Sequence, residues 1–345
     1  MDFSQFKQQF DKGHVDPVYL ILGDQAYLAQ QVKDIFIDLI PDTERSMNIG
    51  SYDMEDVSVS AAVEDAISVP FFGERRLVII NRPYFLTGKK VKTKVEQNMD
   101  DFEGYLKHPE ESTVMVIFAP YEKLDSRKKI TKSLKKAATT IEIGKLRESE
   151  IKKLVVNQIN TKGFQINDDA LDRMMQLTGG KLTTMMGELP KLCLYNNDTK
   201  VIDIDSVNGL VSRSMEQNVF DLVNTVLRKN AKESMDIYHR LILENDEPIR
   251  INAVLIQQFR LLLQVMILQK HGYSQGNLAS ALKVHPYRVK LAMQTVRKFN
   301  YDQLRDAYIG LIETEKEMKS TSRSPELLFE LFVLRFMKKS AKTSG

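Results

Sequence analysis

The stretch VYLILGDQAYLAQ, Val18–Gln30, decides the fold. Its first five residues are apolar and predict a short buried strand, which Gly23 ends. Apolar residues at Leu28, Val32 and Ile35 then follow the spacing of an amphipathic helix. Nucleotide-binding α/β domains begin in the same way, with a strand that passes through a glycine into a helix.

The same alternation continues to about residue 145. Each apolar run of strand length is followed by a segment with helical periodicity. Apolar strands that are separated by helices imply a parallel sheet with both faces covered. The predicted strands are 18–22, 47–54, 77–81, 113–119 and 140–143, and the predicted helices are 25–40, 59–67, 92–106 and 126–138.

The strand signal disappears after Gly144. Residues 146–213 have the pattern of short helices separated by turns, and residues 214–345 that of longer helices with continuous apolar faces. The predicted fold class is therefore α/β plus all-α. It comprises a parallel-sheet domain (1–145), a small helical domain (146–213) and a larger helical domain (214–345).

Composition excludes several classes of protein. The 345 residues are 43% hydrophobic and 28% charged, which is ordinary for a globular protein of two or three domains. No stretch approaches the roughly 18 apolar residues of a membrane span, and the N-terminus lacks the apolar region of a secretory signal. One cysteine and five scattered histidines predict neither a disulfide framework nor a metal site, which fits a reducing cytoplasm.

The phosphate-binding residues that such a fold often carries are missing. In a P-loop the first strand runs into G-x-x-x-x-G-K-[ST]. Here Gly23 is present, but Leu28, Ala29 and Gln30 replace the second glycine, the lysine and the hydroxyl residue. The cation for the phosphates and the hydroxyl for magnesium are thus absent. The sequence predicts a domain without nucleotide hydrolysis and without a cofactor.

The connection before the strand at Leu77 is unusually apolar. In the loop 68–76, Pro70 ends the preceding helix and Gly73 supplies a turn, so Phe71 and Phe72 are confined between two breakers. At least one ring is expected to be exposed, as an interface anchor with a polar rim at Glu74, Arg75 and Arg76. The alternative is that both rings seal the end of the sheet.

Several segments together resemble the delta subunit of the bacterial DNA polymerase III clamp loader, over about residues 15–338. They are SVPFFGERRLVII (68–80) together with the GDQ-x-x-L start at Gly23, VIFAPYEKLDSRKKITKSLKK (116–136), GGKLTTMMGELPKL (179–192) and LASALKVHPYRVKLAMQ (278–294). The resemblance implies an AAA+-type sheet domain without a working Walker A motif, a helical lid and a helical collar.

The resemblance also implies a role without catalysis in the DNA polymerase III holoenzyme. Val69, Pro70, Phe71 and Phe72 fall on the loop with which the family binds the beta sliding clamp, although some members have Leu-Phe where this chain has Phe-Phe. The implied partners are the clamp, the tau/gamma motor subunits, the delta-prime subunit and, through the assembled complex, primed DNA. The implied location is the bacterial cytoplasm, with no membrane contact.

Two other functions stay open. The segment 274–298 has the pattern of a helix-turn-helix, and Arg288, Lys290, Arg297 and Lys298 make its second helix basic, as in a sequence-specific DNA-binding protein. The alternative interpretation gives this segment a purely structural role, as a pair of collar helices. The other possibility, an active AAA+ ATPase, conflicts with the residues at Ala29 and Gln30.

Overall fold

The computed structural model describes residues 1–341 apart from 72, 89–92, 94, 145, 214 and 245–246. The chain forms two compact units, Met1–Leu146 and Arg147–Gly345. The boundary predicted at residue 145 lies one residue from this division. The second predicted boundary, at 213/214, falls inside the second unit and stays a prediction.

A five-stranded parallel sheet forms the centre of the first unit. Its strands are β1 (Val18–Leu22), β2 (Ile49–Asp53), β3 (Arg76–Asn81), β4 (Thr113–Ala119) and β5 (Thr139–Glu142), and they stand in the order β2-β3-β4-β1-β5. The three central strands are buried almost throughout, as expected for a sheet with helices on both faces. The predicted parallel α/β architecture is confirmed.

Helices cover the two faces of this sheet. They are α1 (Phe3–Phe10), α2 (Ala26–Ile37), α3 (Arg45–Asn48), α4 (Val59–Ile67), α5 (Met99–Lys107) and α6 (Lys129–Ala137), with a 3-10 turn at Tyr84–Leu86. Residues of β1 alternate between the faces: Val18 and Leu20 join the core under α4, α5 and α6. Tyr19 contacts Phe6 of α1 and Phe36 of α2 on the other face.

The helix predicted at 92–106 begins only at Met99. In the part of this segment that the structure describes, Thr93 and residues 95–98 are not helical. Their side chains are engaged elsewhere: Thr93 Oγ1 donates to the Glu55 carbonyl at 2.9 Å, and the Gln97 amide bonds backbone groups of the β2–α4 connection. These tertiary hydrogen bonds of Thr93 and Gln97 compete with the helix that the local pattern predicts.

Short and long helices make up most of the second unit. They are α7 (Glu148–Thr161), α8 (Asp168–Leu177), α9 (Leu182–Tyr195), α10 (Ile204–Leu210), α11 (Met215–Leu227), α12 (Ala231–Leu243), α13 (Pro248–Lys270), α14 (Gln275–Leu282), α15 (Pro286–Val296), α16 (Tyr301–Ser320) and α17 (Pro325–Ala341). The expectation that strands are absent after Gly144 was wrong, because β6 (Gln165–Ile166) pairs with β7 (Val201–Ile202) in parallel. Two-residue strands are too short to show the alternation that identifies a strand.

The long helix α13 organises the core of the second unit. It packs against α11, α15 and α16, and Phe259, Leu262 and Val265 are fully buried. By length and composition it is apolar enough to cross a membrane, in contrast to the prediction that no stretch of the chain is. However, 56% of its most apolar window is buried inside the unit. Its apolar character is therefore accounted for by packing between helices.

Candidate functional site

The loop between α4 and β3 lies at the amino edge of the sheet, which is the edge formed by the first residues of the strands. Ser68 ends α4 with extended backbone, and its hydroxyl donates to the Glu64 carbonyl at 2.8 Å. Gly73 has a φ of +80°, which a glycine adopts without strain. Because β3 already begins at Arg76, the connection comprises residues 68–75, and we refer to it as the 68–75 loop.

This loop exposes apolar side chains. Val69 is 81% exposed and Phe71 61% exposed, so at least one ring of the aromatic pair is exposed, as the breakers on either side of it predict. Ile67, the last residue of α4, is 53% exposed. Pro70 is half-buried and Glu74 is exposed. Phe72, the second ring of the predicted pair, lies outside the described residues.

The tip of the loop is attached to α3. The backbone N–H of Phe71 donates to Asn48 Oδ1 at 2.8 Å, and the Asn48 side chain is completely buried. On the other side of the tip, a Cβ at Gly73 would overlap the Glu44 carboxylate, so the backbone passes close to the start of α3. The apolar tip is therefore supported by polar groups from an element 23 residues earlier in the chain.

The base of the loop is fixed by an ion pair between Arg76 and Asp65 of α4. These side chains are 15% and 11% exposed, so Arg76 differs from the exposed rim residue that the sequence predicts. Asp65 also packs against Gly50 of β2, where a Cβ would overlap its carboxylate. Burial and the neighbouring Asp65 carboxylate raise the pKa of Tyr52. The Arg76–Asp65 ion pair joins α4 and β3, the two elements that the loop connects.

The opposite, carboxyl edge of the sheet carries the region where a phosphate loop would lie. Gly23 has a φ of +137°, and its N–H donates to the Ala119 carbonyl at 3.1 Å. A Cβ at this position would stand 2.5 Å from the backbone carbon of Ile143. Leu28 is 1% exposed, so it fills the core instead of turning toward a ligand. The backbone after β5 thus closes the space beside Gly23.

The two other residues of the degenerate phosphate loop lie on the first turns of α2. Ala29 is half-buried. Gln30 is exposed, and its side-chain amide donates to Asp34 of the same helix at 2.7 Å. Neither side chain can supply the cation that neutralises a triphosphate or the hydroxyl that binds its magnesium ion.

The end of β3 adds a feature that the sequence analysis missed. P-loop enzymes hold magnesium with an acidic residue at the end of such a strand, whereas β3 ends with Asn81 and is followed by Arg82. Arg82 has a φ of +48° and its guanidinium contacts Asp53 at 2.6 Å and Glu55 at 2.5 Å. Burial and the nearby Glu55 carboxylate raise the pKa of Tyr121 to about 12. Arg82 thus engages the carboxylates of Asp53 and Glu55 at this edge.

The candidate helix-turn-helix at 274–298 corresponds to α14 and α15. Arg288 donates to Gln258 Oε1 at 3.1 Å, and Lys290 forms an ion pair with Glu148 at 2.9 Å. The apolar side of α15 is buried in the unit, through Val289, Ala292 and Val296. Two of its four predicted DNA-contacting cations are therefore used within the protein, and the helix pair has the packing of a bundle. Arg297 and Lys298 are exposed.

The described residues contain no group of three or more His, Cys, Asp or Glu side chains that could hold a metal ion. Of the residues selected from the sequence, the structure brings Val69, Phe71 and Glu74 together on an exposed loop. Arg75 is half-buried beside them. Asn48 and Asp65, which support this loop, were not identified from the sequence.

Comparisons with known proteins point to the same family over most of the chain. The family model described as "DNA polymerase III, delta subunit" matches residues 19–144, and that of its C-terminal domain matches residues 216–336. DNA polymerase III subunit delta of Bacillus subtilis is 41% identical over 332 residues, which is 96% of each chain. A probable DNA polymerase III subunit delta of Aquifex aeolicus is 25% identical and covers 66% of this chain and 65% of its own.

A solved structure is also similar. The DNA clamp loader delta protein of Bacillus subtilis superposes with a TM-score of 0.74 at 40% identity, over 97% of this chain and 99% of that one. Fold and site together define an AAA+-type sheet domain that lacks phosphate-binding residues and is followed by a helical C-terminal part. The chain belongs to the DNA polymerase III delta subunit family, and thus to the proteins of DNA replication.

Proposed function

We propose that this chain binds the beta sliding clamp through the 68–75 loop and holds the ring open while it is loaded onto primed DNA. The observation that carries the proposal is the exposure of Val69 and Phe71 on a loop that polar contacts support from below. Large apolar side chains in exposed positions mark interaction sites when they form a patch. The family resemblance supplies the identity of the partner.

The proposal assigns no ATP hydrolysis to this chain. The residues that would bind phosphate and magnesium are replaced at Ala29, Gln30 and Asn81, and backbone closes the space beside Gly23. A protein without ATPase activity can nevertheless open a ring by binding the open state better than the closed state. The chain is thus a subunit that acts by binding within a complex located in the bacterial cytoplasm.

The energy required is within reach of this loop. A shift of a closed ring from about 1% to about 99% open takes about 5.5 kcal/mol of differential affinity. Complete burial of two phenylalanine side chains supplies about 3–6 kcal/mol. If their pocket on the clamp exists only in the open ring, burial of Phe71 and Phe72 supplies most of this differential affinity.

Assembly with the tau/gamma and delta-prime subunits is proposed for the helices after residue 213. In this region Ile309 and Ile312 of α16 and Leu327 and Leu334 of α17 are 41–50% exposed. Apolar side chains on two neighbouring helices fit a subunit interface. Lysine at Ile312 and Leu334 should weaken assembly with the motor subunits and leave clamp binding by the isolated chain unchanged. Unaltered assembly in gel filtration would contradict this interface.

Clamp binding by the variant Phe71→Ala, Phe72→Ala tests the main proposal. Loss of two buried anchors should weaken binding by about two to four decades, measured by surface plasmon resonance on immobilised clamp. The melting temperature should stay unchanged, because the Phe71 ring is already exposed in the free chain. A core position behaves differently: Phe102→Ala, at a fully buried ring of α5, should cost about 3–5 kcal/mol of stability.

A matched control is available in the second unit. Leu194 and Tyr195 at the end of α9 are 80% and 69% exposed, so Leu194→Ala, Tyr195→Ala removes a comparable pair of exposed apolar side chains. This control should bind clamp as the wild type does. Clamp binding of the Phe71, Phe72 variant within about threefold of wild type would remove the loop from the function. A large fall in its melting temperature would show that the rings seal the sheet instead.

A further inference from the structure

A buried amide lies directly beneath the exposed tip of the 68–75 loop. Asn48 has no exposed surface, and its Oδ1 accepts the backbone N–H of Phe71 at 2.8 Å. A buried polar side chain is costly unless it is hydrogen-bonded, so the bond from Phe71 helps to satisfy the Asn48 amide. Here the bond joins the final residue of α3 to the residue that carries the exposed ring.

The segment that carries Asn48 makes polar contacts of its own. Arg45 of α3 donates to the Ile40 carbonyl at 3.0 Å and pairs with Asp38 at 2.8 Å and Asp42 at 2.7 Å. The residue after Asn48, Ile49, begins β2 and stands opposite Leu77 of β3. Asn48 thus lies between the short helix α3 and strand β2 of the sheet. Its hydrogen bond fixes the Phe71 backbone relative to these two elements.

The bond has a direct consequence for recognition. A loop that samples many conformations binds with an affinity reduced by the fraction of molecules in the competent conformation. Ordering of such a segment also opposes binding through lost conformational entropy. The hydrogen bond that the Phe71 backbone N–H donates to Asn48 Oδ1 restricts where the Phe71 backbone lies, and therefore where its ring is directed.

We propose that Asn48 is a positioning residue for the Phe71 anchor, which it presents in its binding orientation before the partner arrives. This inference rests on the proposed clamp binding, but the hydrogen bond itself can be examined without the clamp. Loss of the acceptor should lower the fraction of competent loops. Association should therefore slow more than dissociation accelerates.

The experiment uses the full chain with leucine, alanine or aspartate at position 48. Asn48→Leu removes the acceptor at similar volume, Asn48→Ala removes it without adding bulk, and Asn48→Asp keeps an acceptor oxygen. Amide hydrogen exchange of the free protein should show faster exchange at Phe71 in the leucine and alanine variants, by about tenfold or more, with protection retained in the aspartate variant. Clamp association should slow by about tenfold in the first two variants and recover with aspartate.

A double-mutant cycle distinguishes positioning from general stability. In a Phe71→Ala background there is no ring to direct, so Asn48→Leu should have no further effect on clamp binding. Asn252→Leu, at a fully buried asparagine of α13, should lower the melting temperature and leave both clamp binding and exchange at Phe71 unchanged.

Three results would overturn the proposal. Unchanged exchange at Phe71 in both acceptor-free variants would show that Asn48 does not restrain the loop. Faster exchange with unchanged clamp association would remove the positioning role and leave the clamp-binding function intact. Failure of the wild-type chain to bind clamp would reject the proposed function, and this role with it, whatever the exchange result.

Discussion

The amino and carboxyl edges of the parallel sheet differ in what they expose to solvent. The carboxyl edge is where α/β proteins usually bind ligands. Here the Ile143 backbone fills the space beside Gly23, and Arg82 forms ion pairs with Asp53 and Glu55. At the amino edge, Val69 and Phe71 of the 68–75 loop are exposed to solvent. The polar contact of the loop, from the Phe71 N–H to Asn48, lies beneath these side chains. One edge is closed by the protein itself, and the other exposes apolar side chains to solvent.

This difference shows that the architecture of the sheet persists without the residues that bind phosphate in related folds. The sheet order and the burial of the central strands do not depend on the residues that would bind phosphate. Loss of those residues therefore leaves the scaffold intact. In the proposed function, clamp binding then depends on the 68–75 loop at the amino end of β3, whose position the same scaffold determines.

The largest effect is expected at Gly23. Gly23→Val places a Cβ at 2.5 Å from the Ile143 backbone in a conformation with positive φ, and backbone cannot move aside as a side chain can. The change should cost about 3–5 kcal/mol of stability, measured by denaturant unfolding. The control Gly13→Val also has positive φ but meets no atom within 4 Å, so it should cost only about 1–2 kcal/mol. Equal losses would mean that the carboxyl edge is not closed by packing.

An effect almost as large is expected for the ion pair at the amino edge. Asp65→Ala leaves the Arg76 guanidinium largely buried without its partner, which should cost about 3 kcal/mol or more. Asp53→Ala removes a partner of Arg82 at the carboxyl edge, where both side chains are more exposed, and should cost clearly less. Joint replacement by Asp65→Leu, Arg76→Met should restore most of the stability. Equal melting temperatures for the two alanine variants would contradict the assigned difference in burial.

A smaller effect is expected at Gly73. Gly73→Ala introduces a Cβ at positive φ, which costs about 1 kcal/mol. The Cβ would meet only the flexible end of the Glu44 side chain, so no further penalty should arise. Thermal melting should therefore place Gly73→Ala close to Gly13→Ala, which has a similar φ and open space. A fall as large as that of Gly23→Val would show that the loop tip is packed as tightly as the opposite edge.

No effect is expected when two phosphate-loop side chains are restored. Ala29→Lys, Gln30→Thr supplies the missing cation and hydroxyl, but Leu28 remains in the core and backbone still fills the space beside Gly23. Calorimetry should detect no ATP binding to this variant or to the wild type, and phosphate release should stay at background. Saturable binding at micromolar ATP would show that the carboxyl edge is still a nucleotide site.

The sheet was predictable because its strands are buried on both faces. Continuous apolar runs at Val18–Leu22 and Thr113–Ala119 match the observed strands to the residue. The start of α5 was not predictable, because Thr93 and Gln97 form hydrogen bonds with a connection about 40 residues earlier. Local periodicity carries no information about such partners.

The candidate site was predictable in part, for the same reason. Pro70 and Gly73 are local signals, and they indicated that at least one ring of the aromatic pair is exposed, which holds for Phe71. The amide of Asn48 and the carboxylate of Asp65 act only through tertiary contacts. No spacing in the sequence connects Asn48 with Phe71, so only the folded chain reveals that support.

The pairing of β1 has a consequence for synthesis on the ribosome. This strand is made first, yet it lies between β4 and β5, and Tyr19 stands opposite Thr139, which is 120 residues further along the chain. At about 5–20 residues per second, the nascent strand waits about 6–24 s for that neighbour. Until β4 is made, with Val116 opposite Tyr19, neither edge of β1 has a native partner, and the edge that pairs with β5 stays open for the whole interval. Its unpaired backbone groups make the growing chain a candidate for chaperone capture and for misassembly with other nascent chains.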